Sequence, residues 1–146
     1  NGGTGATSFS PGKVLQVVSA NDSTPLSSSS TSYIDTGTSA SITPSSSSNK
    51  VLVIVTTGVH GVDTATTTGM KLKLVRDSTD LVEQSSWGSH PTITYIYGQG
   101  HCFNYLDSPS STSSTTYKLQ YKSNDGTNHV LENASTAVMT LLEVSA

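Results

Sequence analysis

Hydrophobic residues recur at every second position along several short stretches of this chain. In residues 117–122, tyrosine and leucine alternate with lysine and glutamine, and in residues 70–74 methionine and leucine alternate with lysine. Such alternation is typical of a strand with one buried and one solvated face. Residues 51–55 and much of 137–144 are apolar at nearly every position. This is typical of central strands that are covered on both sides or covered by another subunit.

The chain lacks the pattern of a helix. Apolar residues never recur at spacings of three and four over three turns, and β-branched residues dominate wherever hydrophobicity rises. Further strands are predicted at residues 13–20, 32–35, 40–43, 81–85, 92–97, 101–106 and 129–131. We therefore predict an all-β fold, an antiparallel β-sandwich or jelly roll of about eight to ten short strands.

Segments between these strands are rich in serine and threonine, whose hydroxyls bond back to the local backbone in turns. The predicted loops lie at residues 27–32, 45–48, 64–68 and 108–116. Within residues 122–128, Asp125 and Gly126 predict a hairpin turn between the two flanking strands.

A chain of 146 residues suits one domain. Residues 1–8 contain three glycines and no side chain large enough to anchor a core. We therefore predict a glycine-rich connector at residues 1–11 and a single β-sandwich domain at residues 12–146.

Composition narrows the possible partners. The 27 serines and 22 threonines make up about a third of the chain, whereas charged residues make up only 12%. The net charge of −3 leaves no basic surface for nucleic acid and no polybasic patch for a membrane. No apolar run approaches the length of a membrane span. Nucleic acid and membrane insertion are therefore not expected.

Catalytic and metal-binding motifs are absent from the sequence. A single cysteine, Cys102, excludes an intrachain disulfide, and its spacing from His60, His90 and His101 is irregular, so we expect no metal site and no cofactor. We expect Cys102 to be a small buried hydrophobe. Ser89 and His90 follow a glycine but lack the second glycine and the helix of a nucleophile elbow. We expect no catalytic residues.

Paired carboxylates are the main enzymatic alternative, because a glycosidase needs two of them close in space rather than in sequence. None of the acidic residues lies at a strand centre among clustered aromatics. The candidates are Asp77, Asp80, Glu83, Asp107, Glu132 and Glu143.

Aromatic residues gather between positions 87 and 105, where their faces could stack on sugar rings or protein loops. The candidates for receptor contact are Trp87, His90, Tyr97 and His101. Trp87, which we expect beside Gly88 in a loop, is the better candidate for an exposed ring. Ile93, Tyr95 and Tyr97 share one face of a strand, where a role in the core or in a subunit interface is the alternative.

Several segments occur in an order and spacing that resemble the fibre-type domains of tailed bacteriophage virions, found in phages of aquatic bacteria and cyanobacteria. The segments are GKVLQVV (12–18), ITPSSSSNKVLV (42–53), LVRDST (74–79), YLDSPS (105–110) with TTYKLQYKS (115–123), and MTLLE (139–143). The resemblance covers about nine tenths of the chain and is weakest at residues 82–100. The leading NGGTG resembles the glycine-rich joint before terminal modules of tail fibres.

The resemblance implies a trimeric module at the end of a virion appendage, which touches the host surface and carries no catalytic residues. Its expected partners are a host cell-surface glycan or protein, further copies of itself, and other fibre or tail proteins. Three copies on one stalk would multiply weak contacts through effective concentration. A capsid or collar decoration protein is the structural alternative, and a glycan depolymerase is the enzymatic one.

Overall fold

The computed structural model describes residues 12–57, 61–63, 67–89, 95–97, 100–125, 127–130 and 135–146. These residues form twelve strands and no helix, which confirms the all-β prediction. The predicted connector at residues 1–11 lies outside them. The strands are β1 (Val14–Asp22), β2 (Leu26–Ser28), β3 (Ile34–Ile42), β4 (Lys50–Thr56), β5 (Gly61–Asp63), β6 (Thr67–Arg76), β7 (Thr79–Ser89), β8 (Tyr95–Tyr97), β9 (Cys102–Asp107), β10 (Thr115–Asp125), β11 (Thr127–Val130) and β12 (Ala137–Val144).

Eight strands form the two sheets of an antiparallel sandwich. The first sheet has the order β1-β12-β4-β9, and the second has the order β3-β10-β6-β7. Because every pairing is antiparallel, the connections β1–β3, β4–β6, β7–β9 and β10–β12 all cross between the sheets at one end. We call this the head end. Repeated crossing of this kind is the topology of a jelly roll, as predicted.

The remaining four strands form a small third sheet. Each lies in one of the four crossing connections, and their order is β2-β11-β5-β8. This order repeats the order of the long strands that they join. The head end is therefore built from hydrogen-bonded strands rather than from independent loops.

The core lies between the two large sheets and follows the predicted alternation. Val51, Val53 and Val55 of β4 are fully buried, as are Met139 and Leu141 of β12. From the second sheet they meet side chains that are at most 1% exposed, namely Met70, Leu72, Leu74, Tyr117, Leu119 and Tyr121. Burial of these apolar side chains is the main stabilising contribution to such a fold, at about 25 cal/mol per Å².

Two of the predicted strands, 32–35 and 40–43, belong to one strand, β3. The polar residues between them made the sequence look interrupted. In the structure Thr36 and Thr38 point inward and are buried. The Thr36 hydroxyl donates to the carbonyl of Leu119 at 3.0 Å and accepts from the Thr38 amide at 3.2 Å. Gly37, between them, has a φ of 96°, which its missing Cβ permits.

The predicted hairpin at residues 122–128 is wrong. β10 continues to Asp125, and β11 begins at Thr127, but the two strands do not pair with each other. β10 pairs with β3 and β6, whereas β11 pairs with β2 and β5 in the head-end sheet. The chain therefore passes from one sheet to another here. Three predicted loops also contain strand residues, because β2 lies partly in 27–32, β6 begins within 64–68 and β10 begins within 108–116.

Candidate functional site

Three of the four candidates for receptor contact belong to the head end. Trp87 lies near the end of β7, opposite Gly69 of β6, and Tyr97 lies in β8, opposite Gly61. His101 comes directly before β9. The backbone between β7 and β9 thus brings these positions to the same end of the sandwich. His90 lies outside the described residues.

His101 is held by its backbone. Its carbonyl accepts from the amide of Thr57 at 2.7 Å, and its amide donates to the Thr57 hydroxyl at 2.8 Å, which extends the β4–β9 pairing by one step. Burial lowers the pKa of the His101 imidazole, so the neutral ring is favoured. A neutral, partly exposed ring suits stacking or hydrogen bonding better than ion pairing.

Cys102 is exposed, so the prediction that it is buried is wrong. The alternation of β9 turns Phe103 into the core at 8% exposure, and Cys102 therefore points outward. Within the described part of the chain, no three His, Cys, Asp or Glu side chains come together as a metal site would need.

Asp107 joins the two sheets at the end opposite the head end. Its carboxylate accepts from Arg76 Nη1 at 2.8 and 2.7 Å and from the Tyr117 hydroxyl at 2.7 Å. Asp107 is 5% exposed, and Tyr117 is fully buried. Burial and the bond to Asp107 raise the pKa of the Tyr117 hydroxyl, which stays protonated. This contact is a clamp between sheets rather than an acid pair.

Glu143 is the second buried carboxylate. Its Oε1 accepts from the Ser45 amide, the Ser45 hydroxyl and Asn49 Nδ2, each at 2.7 Å. Burial acts to raise the pKa of Glu143, but the bonds from Asn49 and Ser45 outweigh it and hold the pKa below its usual value. Glu143 therefore anchors the loop between β3 and β4.

The outer face of the second sheet is charged, and most of its charges are paired. Three ion pairs cross it, namely Lys71–Glu83 at 2.6 Å, Lys73–Asp80 at 3.0 Å and Lys118–Asp35 at 3.1 Å. The Tyr33 hydroxyl donates to Glu83, and Lys73 Nζ lies 4.0 Å from the centre of the Tyr33 ring.

Of the remaining glycosidase candidates, Asp77 accepts from the Thr116 amide at 2.9 Å. Glu132 lies outside the described residues.

The outer face of the first sheet is mainly apolar, with seven apolar residues among eleven positions in three rows. Registers across the four strands align Val17, Leu142, Leu52 and Leu106 in one row. The next row toward the head end contains Ser19, Thr140, Ile54 and Asn104. The row on the other side, away from the head end, contains Val14, Val144 and Lys50. Val14, Val17 and Leu106 are 55%, 59% and 51% exposed. We call these three rows the outer apolar face.

A cleft of about 490 Å³ lies between β1, β2 and β3 and is lined in part by Asp22 and Asp35. Asp35 is bound by Gln120 at 2.7 Å and by Lys118. Asp22 accepts from the Thr24 amide at 2.9 Å through Oδ1. The Asp35 carboxylate therefore holds the local fold, whereas Asp22 Oδ2 is buried without a hydrogen-bond partner among the described residues.

The chain was compared with known proteins. No protein-family model and no curated protein sequence matches it. Among solved structures it is similar to the crystal structure of the infectious bursal disease virus VP2 subviral particle, at 14% identity and a TM-score of 0.44. The match covers 88% of this chain and 39% of the other chain, so the chain spans about two fifths of that protein's length. By its own topology, the chain is a jelly-roll β-sandwich protein.

Proposed function

We propose that the chain is a noncatalytic module of a virion fibre or similar appendage, which holds the particle to a host surface through several weak contacts. The observation that carries this proposal is the convergence of Trp87, Tyr97 and His101 at the head end. Tryptophan, tyrosine and neutral histidine are residue types that stack on sugars and on protein loops. The partner would be a cell-surface glycan or protein.

The rest of the sandwich suits a supporting role. The sheets are joined by a packed core and by the Asp107 clamp, which together give a rigid base for the head-end strands. Binding residues are commonly carried by connections on such a rigid scaffold. Of residues 82–100, where the resemblance to phage fibre domains is weakest, the last residues of β7 and strand β8 lie at this same end. Partner specificity would vary there.

Self-association belongs to the proposal, in the form of a homotrimer attached to other fibre or tail proteins. Three copies on one stalk convert roughly millimolar contacts into binding that is about 10² to 10⁴ times tighter. The proposed location is therefore an appendage of the virion, outside the cell. Among the described residues, no helix is long and apolar enough to cross a membrane.

A structural virion protein, such as a capsid or collar decoration protein, is the second candidate. The outer apolar face favours it, because a decoration protein needs a broad flat surface for docking. The two candidates differ in what they bind. The first binds cells through the head end, and the second binds a particle through the face of a sheet.

Retention on cells tests the proposal. The full chain, presented on beads at high valency, is incubated with a panel of aquatic bacteria and cyanobacteria, with and without competing surface glycan. We expect retention by at least one strain, and at least tenfold less for Trp87→Ala or Tyr97→Ala. Ser114→Ala, at the opposite end, should be retained normally. Absence of retention from every strain would contradict adhesion, and release of reducing sugar would indicate a depolymerase.

A further inference from the structure

The outer apolar face is unusual among the surfaces of this molecule. Of the described positions in its three rows, Lys50 is the only charged one. The equivalent face of the second sheet carries three ion pairs. The two sheets are thus alike in topology and opposite in surface chemistry.

The outer apolar face is the size of a small protein interface. Four strands about 4.8 Å apart, crossed by three rows about 6.8 Å apart, span roughly 400 Å² in projection, before side-chain relief is added. Monomeric proteins rarely expose apolar patches larger than a few hundred Å². A standard interface buries about 800 Å² on each partner. A partner covering the three rows would therefore bury an area at the lower end of the range for specific interfaces.

Charge and register indicate which partner fits. A partner with several charges would lose their hydration against this face and could gain at most one ion pair, with Lys50. A second copy brings a matching apolar row. If two copies meet face to face about the row of Leu52, the two Lys50 positions lie on opposite sides of that row, about 14 Å apart along the strands. That separation exceeds the Debye length of about 8 Å at physiological salt.

We propose that copies of this chain associate through the outer apolar face. The inference rests on the proposed function for its biological use, since it supplies the surface through which the module becomes multivalent. Leu106 and Val17 lie at the two edges of the sheet, in β9 and β1, and Leu52 and Leu142 lie between them. An interface centred on this row would bury all four.

Size-exclusion chromatography with light scattering tests the inference. The full chain should be a dimer or trimer at micromolar concentration, and Leu106→Glu and Val17→Glu should each weaken association at least 100-fold, because a charge would then be buried without a partner. Both side chains are about half exposed, so the monomer should keep its far-ultraviolet circular dichroism. Ser39→Glu, on the outer face of the second sheet, is the matched control and should leave the mass unchanged.

Cys102 supplies an independent readout. It is exposed and points outward from the first sheet, in register with Thr56 beyond the outer apolar face. Its thiol should react with a bulky maleimide several-fold more slowly in the wild type than in the Leu106→Glu variant. Equal reaction rates at a concentration where the wild type is multimeric would overturn the inference.

The remaining outcomes separate this inference from the proposed function. A monomeric wild type, or a multimer that survives both substitutions in folded variants, would overturn the inference. A multimer that dissociates on substitution but binds no cells would leave the inference standing and contradict adhesion. A dimer would support association through the outer apolar face and would contradict the homotrimer of the proposed function.

Discussion

Asp107 accepts hydrogen bonds from both Arg76 and Tyr117, and through them it ties the end of β9 to two strands of the other sheet. The side chains of Arg76 and Asp107 are 21% and 6% exposed. A carboxylate buried this far is stabilised only while its partners remain. Removal of the Asp107 carboxylate would in turn leave the Tyr117 hydroxyl buried without a hydrogen-bond partner.

We expect Asp107→Ala to lower the free energy of unfolding by about 3 kcal/mol, because it leaves a partly buried guanidinium and a buried hydroxyl unpaired. Tyr117→Phe should cost about 1–2 kcal/mol, since one bond to a charged group is lost. Urea unfolding measures both. Asp80→Ala, which breaks an exposed ion pair, is the control and should cost less than about 1 kcal/mol. Equal losses for Asp107→Ala and Asp80→Ala would refute the clamp.

Glu143 predicts a dependence of stability on pH. Its pKa is lowered in the folded state, so its contribution is present above the ordinary carboxyl pKa of about 4.3 and is lost as the pH falls through the folded value. Glu143→Gln should reduce stability at pH 7. It should also make stability fall less steeply with acid, although Asp35 and Glu83, whose pKa values are also lowered, keep part of the slope. Denaturant titrations between pH 2 and pH 7 measure the difference; an unchanged slope would argue against this role.

At the scale of elements, β6, β7 and β10 show how the predicted alternation becomes a charged surface. Lysines at every second position face solvent, and the registers between strands place an acid beside each of Lys71, Lys73 and Lys118. Exposed charges of this kind discourage edge-to-edge pairing of sheets more than they add stability.

The Lys71–Glu83 pair should therefore contribute little to stability. Glu83→Gln is expected to cost at most about 1 kcal/mol at low salt, because both side chains are substantially exposed. In about 1 M salt, where the Debye length is near 3 Å, the cost should largely disappear. Thermal unfolding of wild type and variant at the two salt concentrations tests this. A cost above 2 kcal/mol that persists in high salt would show that the Tyr33–Glu83 bond dominates instead.

Strands β3 and β10 mark the limits of prediction at this scale. The inward threonines of β3 resemble a loop in sequence, and they become interior residues because β3 pairs with β10, where the Thr36 hydroxyl donates to the carbonyl of Leu119. The Asp-Gly pair after β10 has the composition of a hairpin turn, yet the strand that follows joins a different sheet. The burial of these threonines and the sheet that β11 joins both depend on strands that are distant in the chain.

At the scale of the whole molecule, association should link stability to concentration. Because only the folded chain presents the outer apolar face, each tenfold rise in protein concentration should raise the Tm by about 2–5 °C. The Leu106→Glu variant should show no such rise. Differential scanning calorimetry at concentrations from 5 to 500 μM measures it. A wild-type Tm that is independent of concentration would contradict association through this face.

The sequence by itself determined the class of the fold and the identity of the core, because alternation at a period of two is a local property that each strand carries alone. Tyr117 and Leu119 were assigned correctly on that ground. The apolar run Val51–Val55 is a central strand as predicted, but only Val51, Val53 and Val55 are buried in the core. Only the tertiary structure decided which strands are neighbours, because pairing is a long-range choice made by burial and register. It was this choice that aligned Val17 with Leu106 across four strands and brought Trp87, Tyr97 and His101 to one end.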